Sequence, residues 1–169
     1  SHYYVSGGFL DQSGTVRSVN YRRFTFQSNS DAQVLKWLKF SNNITFSTDT
    51  KDSGSYNIGD ALKALPVLPV KNEDGSWSGP EGNSEWYGSI PIGPTQLNKS
   101  QTKGYNFLAN LTAELTFTKW LKFKSTFGYD AKFWFIDNFT PKYNWKPIPT
   151  EETSRYKSDN KSFTYLWDN

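Results

Sequence analysis

The fold of this chain is decided by residues 105–117, which read Tyr-Asn-Phe-Leu-Ala-Asn-Leu-Thr-Ala-Glu-Leu-Thr-Phe. All seven odd-numbered positions of this stretch are apolar, and five of the six even-numbered positions are polar. A period of two is typical of a β-strand that has one apolar face and one wet face. The same alternation recurs at residues 121–135 and 38–46, more weakly at 21–30, and again near both ends of the chain.

The alternation predicts an all-β chain of six antiparallel strands, near residues 2–11, 21–34, 37–50, 104–118, 121–137 and 161–169. The one substantial helix is predicted near residues 58–65, because Asn57 fits the N-cap position and Pro66 ends the helical pattern. Two strands exceed 13 residues, whereas strands of soluble proteins average about 5–6 residues and a membrane-spanning strand needs about 9–11. Strand length therefore favours a transmembrane β-barrel over a large soluble β-sandwich.

The connections between the predicted strands alternate between short and long. Tight turns are expected near Leu35-Lys36 and near Lys119, and long connections at residues 12–20, 49–104 and 137–160. Outer-membrane barrels have short periplasmic turns and long extracellular loops, which is the same alternation. Both tight turns carry the pentapeptide Lys-Trp-Leu-Lys-Phe, at 36–40 and at 119–123. Aromatic girdles are therefore expected at both membrane interfaces. Trp37 and Trp120 are expected in the periplasmic girdle, and Phe133, Phe135 and Phe139 in the opposite one.

The composition narrows the possible functions. The chain has 169 residues and a net charge of +3, which is too small to indicate a nucleic-acid partner. It has no cysteine and one histidine, His2, so thiolate metal sites and multi-histidine sites are excluded. Its mean hydropathy of −0.71 excludes a helical membrane span. Aromatic residues make up 18% of the chain, a content typical of carbohydrate-binding β-sandwiches and of outer-membrane β-barrels.

Several segments carry a family resemblance when they are taken in order. They are Tyr-Tyr-Val-Ser-Gly-Gly-Phe at 3–9, Tyr-Arg-Arg-Phe-Thr-Phe at 21–26, Lys-Trp-Leu-Lys-Phe at 36–40, Asp-Ala-Leu-Lys-Ala-Leu-Pro-Val-Leu-Pro-Val at 60–70, Glu-Asp-Gly at 73–75, Phe-Thr-Pro-Lys-Tyr at 139–143 and Lys-Ser-Phe-Thr-Tyr-Leu-Trp at 161–167. Together they resemble the middle of the barrel in SusC/RagA-type TonB-linked outer-membrane transporters. The resemblance spans essentially the whole chain.

The resemblance implies that residues 1–169 are a single partial domain, about six strands of a 22-stranded barrel, with a long extracellular loop at 49–104. The plug and the remaining strands are then expected outside this sequence. The implied function is active import of oligosaccharides or peptides across the outer membrane, in which TonB contacts the missing N-terminal part and a SusD-like surface lipoprotein forms a lid. The chain is expected to be neither an enzyme nor dependent on a cofactor.

Candidate substrate-binding residues are aromatic side chains in the predicted extracellular loops, where flat rings can stack on sugars: Trp77, Trp86, Tyr87 and Trp145. The alternative is that these rings pack among the loops or against the lid. Charges on the predicted polar face could line a substrate path or simply face water and the plug: Lys39, Glu114, Lys122, Lys124, Asp130 and Lys132. The adjacent carboxylates Glu73-Asp74 and Glu151-Glu152 are interpreted as solvated loop charges, so no catalytic or metal site is predicted.

Three functions remain open on this sequence. The first is part of a TonB-dependent nutrient importer, and the second is a soluble carbohydrate-binding β-sandwich. The third is a glycoside hydrolase with paired carboxylates, which is the weakest because no strand-end carboxylate pair is apparent.

Overall fold

The structure, a computed structural model, describes residues 1–54, 59, 62, 69–75, 97–142 and 152–169. These residues form six β-strands, namely β1 (His2–Ser13), β2 (Asn20–Leu35), β3 (Leu38–Ser53), β4 (Lys99–Thr116), β5 (Lys122–Thr140) and β6 (Ser154–Asp168). All six predicted strands are confirmed. The predicted helix at 58–65 lies mostly outside the described residues, although Gly59 and Leu62 within it are helical.

The six strands form one antiparallel sheet in which each strand pairs with its neighbour in the chain, in the order β1-β2-β3-β4-β5-β6. Within the described residues, β1 and β6 are the two edges of this sheet. A β-sandwich needs two sheets packed face to face. The described residues form one sheet, which argues against the β-sandwich alternative.

The strands extend further than predicted at the end that carries the long connections. Strand β3 continues to Ser53 and β4 begins at Lys99, so both ends of the predicted loop 49–104 are strand, and β6 begins at Ser154 rather than at residue 161. Apart from Tyr156, these extensions are polar on both faces, so they carry no alternation that the sequence could reveal. Cross-strand hydrogen bonds hold them, as where Gln101 Nε2 donates to Asp52 Oδ1 at 2.7 Å.

The two short turns lie next to each other at the opposite end of the sheet. Residues 36–37 join β2 to β3, and residues 117–121 join β4 to β5. The backbone N–H of Thr116 donates to the carbonyl of Trp37 at 2.8 Å and so links the two hairpins. Trp37 and Trp120 are 51% and 83% exposed, and their place in a periplasmic girdle stays a prediction.

The described part of the chain has almost no hydrophobic core. Its only buried hydrophobic residue is Ala131, at 3% exposure, and its only buried polar residue is Ser47, at 2%. Large apolar side chains instead remain exposed along every strand. A soluble monomer rarely exposes an apolar surface of this extent. The sheet therefore requires either lipid or other protein against its apolar face.

The pairing register collects most of the apolar side chains of the six strands on one face, called the apolar face below, whereas Leu108, Trp134 and Leu166 lie on the opposite face. One register row crosses the sheet through Gly7, Phe26, Phe46, Phe107, Ala131 and Phe163. The next row towards the long connections contains Phe9, Phe24, Thr48, Tyr105, Phe133 and Lys161. Rings contact one another on this face, since Tyr129 stacks on Phe163 with centroids 6.4 Å apart. Successive side chains of a strand point to opposite faces of the sheet. Each strand therefore places either its odd-numbered or its even-numbered residues on the apolar face.

Candidate transport surface

The opposite face of the sheet, called the polar face below, carries all six charges that the sequence predicts for a lumen. The register pairs Lys39 of β3 with Glu114 of β4, and Glu114 with Lys124 of β5. Lys122, Asp130 and Lys132 follow on the same side of β5, because they share the even numbering of Lys124. Sequence analysis therefore assigned these six residues to the correct common face.

Near the short turns these charges form an alternating row across four strands. Lys39 Nζ lies 3.3 Å from Asp31 Oδ2 of β2, and Lys122 Nζ lies 3.1 Å from Glu114 Oε1. Glu114 therefore lies between cations on both neighbouring strands. Each side chain of these pairs is at least 31% exposed, so the row faces water and its charges are screened. Such a row can bind or repel ions and charged groups that pass along the face.

The middle of the polar face is lined by small hydroxyl and amide side chains. Asn106 Nδ2 lies 3.5 Å from both Ser47 Oγ and Asp49 Oδ1, and the Thr112 and Thr126 hydroxyls are 3.1 Å apart. Short polar side chains leave room above the sheet and offer both donors and acceptors. This surface suits contact with water or with a hydroxyl-rich or amide-rich solute.

Gly104 on the polar face is covered closely by a side chain of the neighbouring strand β3. A Cβ built there would lie 2.6 Å from Asp49 Oδ1, because the Asp49 carboxylate covers this glycine. Gly104 is buried as a result. The missing side chain therefore lets Asp49 lie flat across β4, where Asn106 reaches it.

Farther along β5, Lys132 Nζ pairs with Asp130 Oδ2 at 3.0 Å.

Towards the long connections, the apolar face ends abruptly in polar residues. The register row directly beyond Phe9 and Tyr105 consists of Asp11, Arg22, Thr50, Lys103, Phe135 and Asp159. Asp137 lies one row farther, and Arg155 lies one row beyond Asp137. Arg155 binds Asp137 with two hydrogen bonds, Nε to Oδ1 at 2.8 Å and Nη2 to Oδ2 at 2.6 Å. Hydrogen bonding from Arg155 lowers the pKa of the Asp137 carboxyl below its usual value, so this pair stays ionised.

A groove of about 590 Å³ opens beside this ion pair. It is lined by Ser18, Asn20, Asp52, Ser53, Asn98, Lys99, Ser100, Gln101, Asp137, Phe139 and Arg155. Neither the ion pair nor the groove is predicted by the sequence. The extension of β6 that carries Arg155 has no alternation, and the register between β5 and β6 could not be derived from the sequence.

The predicted substrate-binding aromatics, Trp77, Trp86, Tyr87 and Trp145, lie outside the described residues. Glu73 and Asp74 are exposed in a turn that is closed by a 3.0 Å hydrogen bond from the Gly75 N–H to the Asn72 carbonyl. Of the other carboxylate pair, Glu152 is exposed and Glu151 is outside the described residues.

No group of three or more His, Cys, Asp or Glu side chains in the described ranges could hold a metal ion. No helix in the same ranges has the length and hydropathy to cross a membrane.

Comparison with known proteins indicates the family. No family model matches the chain. It is 32% identical over 131 residues to TonB-dependent receptor P26 of Formosa agariphila, and this match covers 76% of the chain and 13% of that protein. It is 28% identical over 152 residues to TonB-dependent receptor P3 of the same organism, with coverage of 83% and 15%. The chain thus spans about one seventh of the length of these curated relatives. Both similarities support the predicted family at the level of TonB-dependent receptors, which are outer-membrane transporters rather than enzymes.

Proposed function

We propose that this chain, whose relatives support membership of the TonB-dependent receptor family, forms six neighbouring strands in the barrel wall of an outer-membrane active transporter. The observation that carries the proposal is the two-faced sheet, which has one continuous apolar face, one charged wet face and almost no core in its described part. Lipid covers the first face and the water-filled lumen lies against the second, as in transmembrane barrels.

The height of the apolar face fits a bilayer. On β4 the apolar face runs from Tyr105 to Leu115, ten residue steps of about 3.3 Å each. A strand tilt of about 40° reduces this length to a height of about 25 Å, which is the height of the apolar band on outer-membrane barrels. Strand β4 continues beyond Tyr105 to Lys99, so its polar end projects beyond the hydrocarbon region.

The open edges of the sheet fit a larger barrel. In hydrocarbon, each unpaired backbone N–H or C=O group costs several kcal/mol, so an open six-stranded sheet is not stable there. We infer that β1 and β6 pair with further strands of the same receptor, in a barrel of 22 strands of the SusC/RagA type. The short turns then face the periplasm, and the long connections face the exterior.

Within such a transporter the polar face is part of the substrate path. Its amide and hydroxyl groups around Asn106 and Thr112 can exchange hydrogen bonds with an oligosaccharide or a peptide. The aromatic residues of the long connections bind the substrate or a SusD-like lipoprotein lid outside the membrane: Trp77, Trp86, Tyr87 and Trp145. TonB supplies the energy through the N-terminal part of the receptor.

The test is made on the full-length receptor in its native bacterium. Membrane fractionation should find the receptor in the outer membrane, and deletion of its gene should abolish growth on one oligosaccharide or peptide source while growth on glucose continues. Deletion of TonB should have the same effect. Recovery of the receptor in the soluble fraction, or nutrient growth that no deletion affects, would contradict the proposal.

A further inference from the structure

We propose that the apolar side of β4–β6 binds the phosphate group of a glycolipid of the outer leaflet, at the end of the sheet that carries the long connections. The contact surface consists of Lys103, Arg155, Lys157 and Lys161, called the outer basic patch below. The inference rests on the proposed function only in that it takes the apolar face to contact lipid and the long connections to lie outside the cell.

The register places the outer basic patch on the lipid side of the sheet. Lys161 is paired with Phe133, and Lys103 with Phe135. Lys157 is paired with Asp137, two residues farther along β5. Because these partners share the face that bears Tyr105 and Phe107, the four cations lie where the apolar band ends. Lipid headgroups occupy this level of the membrane.

The patch has an excess of positive charge. Three carboxylates lie next to it on the same face, those of Asp52, Asp137 and Asp159. Asp52 accepts a hydrogen bond from Gln101, and Asp137 is already bound on both oxygens by Arg155. Among the described residues, Lys103, Lys157 and Lys161 have no carboxylate within ion-pair distance. All three are exposed. Their ammonium groups are therefore available to an anion from the membrane.

The geometry suits one phosphate group held from two sides. Lys103 and Lys157 lie on the two strands that flank β5. Neighbouring strands are about 4.8 Å apart, and the partners of these two lysines on β5, Phe135 and Asp137, are two residues apart. The backbones of the two lysines are therefore about 12 Å apart, about 10 Å across β5 and about 7 Å along it. Two extended lysine side chains can converge on a phosphate over that distance, and a lysine ammonium binds phosphate as a point charge.

The groove beside the patch supplies contacts for a sugar. Asn20, Asp52, Asn98 and Gln101 line it with amide and carboxylate groups, and Phe139 provides an aromatic surface. Asn98 Oδ1 is buried and has no hydrogen-bond partner in the described part of the chain. A buried acceptor without a partner costs free energy, and a sugar hydroxyl would supply the missing donor. A phosphate beside a polar groove for a sugar is the arrangement that a phosphorylated glycolipid headgroup fits.

The experiment uses the full-length receptor in nanodiscs that contain phosphatidylcholine with a small fraction of lipid A carrying one phosphate. Native mass spectrometry measures the glycolipid that the receptor retains. The variant K103Q/K157Q/K161Q removes the charge from the patch, and K39Q/K124Q/K132Q is the matched control with three lysines removed from the polar face. We expect the patch variant to retain at least about tenfold less glycolipid, since each basic residue at an anionic membrane surface contributes about fivefold to the affinity. The control should retain as much as the unmodified receptor.

A second measurement separates phosphate recognition from general lipid contact. Dephosphorylated lipid A should bind the unmodified receptor as weakly as phosphorylated lipid A binds the patch variant. Equal retention of both glycolipids, or equal retention by the two variants, would overturn the inference. The outcome is distinct from a failure of the proposed function, because a receptor that is absent from the outer membrane fails at fractionation, before any lipid is tested.

Discussion

Arginine at the centre of the apolar face is the sharpest test of how the sheet meets the membrane. The apolar face of β4 extends from Tyr105 to Leu115, so its midpoint falls at residue 110 and the nearest outward side chains are those of Ala109 and Leu111. Leu111 pairs with Asn42 and Phe127 and is 38% exposed on this face. We expect Leu111→Arg to destabilise the folded receptor by about 2–4 kcal/mol, the cost of an arginine near the bilayer midplane.

Two controls locate the effect on one face and at one depth. Thr112→Arg changes the next residue on the polar face and should cost much less than Leu111→Arg. Tyr105→Arg lies on the same face but at the end of the apolar band, where about 0–1 kcal/mol is expected. The assay is guanidinium unfolding of the full-length receptor refolded into phospholipid vesicles. Equal losses for Leu111→Arg and Thr112→Arg would refute the assignment of faces, and they would instead indicate a sheet that is buried on both sides.

Three further outcomes follow from the described contacts. Glu114→Gln leaves Lys39, Lys122 and Lys124 facing one another, so the receptor should lose stability at low ionic strength and recover it in high salt, where the repulsion is screened; an unfolding midpoint that is independent of salt would contradict the charge row. Residues 1–169 expressed alone should aggregate in water without detergent, because both sheet edges and the apolar face are open; a monodisperse monomer with a cooperative melt would count against a barrel segment. Alanine substitution of Trp77, Trp86 and Tyr87 should reduce nutrient uptake or lid association without changing the amount of assembled receptor. Unchanged uptake together with unchanged lid association would show that these three residues have no role in transport.

Sequence analysis succeeded where the two faces of a strand meet different solvents. Residues 105–117 alternate cleanly because lipid-facing and water-facing side chains differ in polarity, and the strand follows directly from that pattern. Residues 99–103 and 154–160 are strand as well, but they lie beyond the hydrocarbon region in the proposed barrel, so neither of their faces needs apolar residues.

The candidate surface was predictable only in part, for a related reason. Lys39 and Glu114 each lie at a polar position of the alternation in their own strand, and this alone predicts that both are on the polar face. Their direct pairing depends on the register between β3 and β4, and the turn that sets a hairpin register is replaced there by residues 54–98. The same holds for Arg155 and Asp137, whose strands are joined through residues 141–153. Composition and alternation identify faces, whereas pairing across a long connection has to be observed.

The pairing of each strand with its chain neighbour also orders the assembly of the sheet in time. Closing residues 54–98 to bring β3 beside β4 costs about 3 kcal/mol more entropy than closing the two-residue turn at 36–37. The β2–β3 and β4–β5 hairpins therefore form first. The 16 residues of β3 then pair with β4 in a later step, and this β3–β4 pairing is called the seam below. Because the chain has no cysteine of its own, a pair introduced at Ile44 and Ala109 would report closure of this seam during refolding, and a pair at Phe26 and Phe46 would report the hairpin. The disulfide between β3 and β4 should form after the disulfide within the β2–β3 hairpin. This part of the barrel wall then assembles from two hairpins that have already formed.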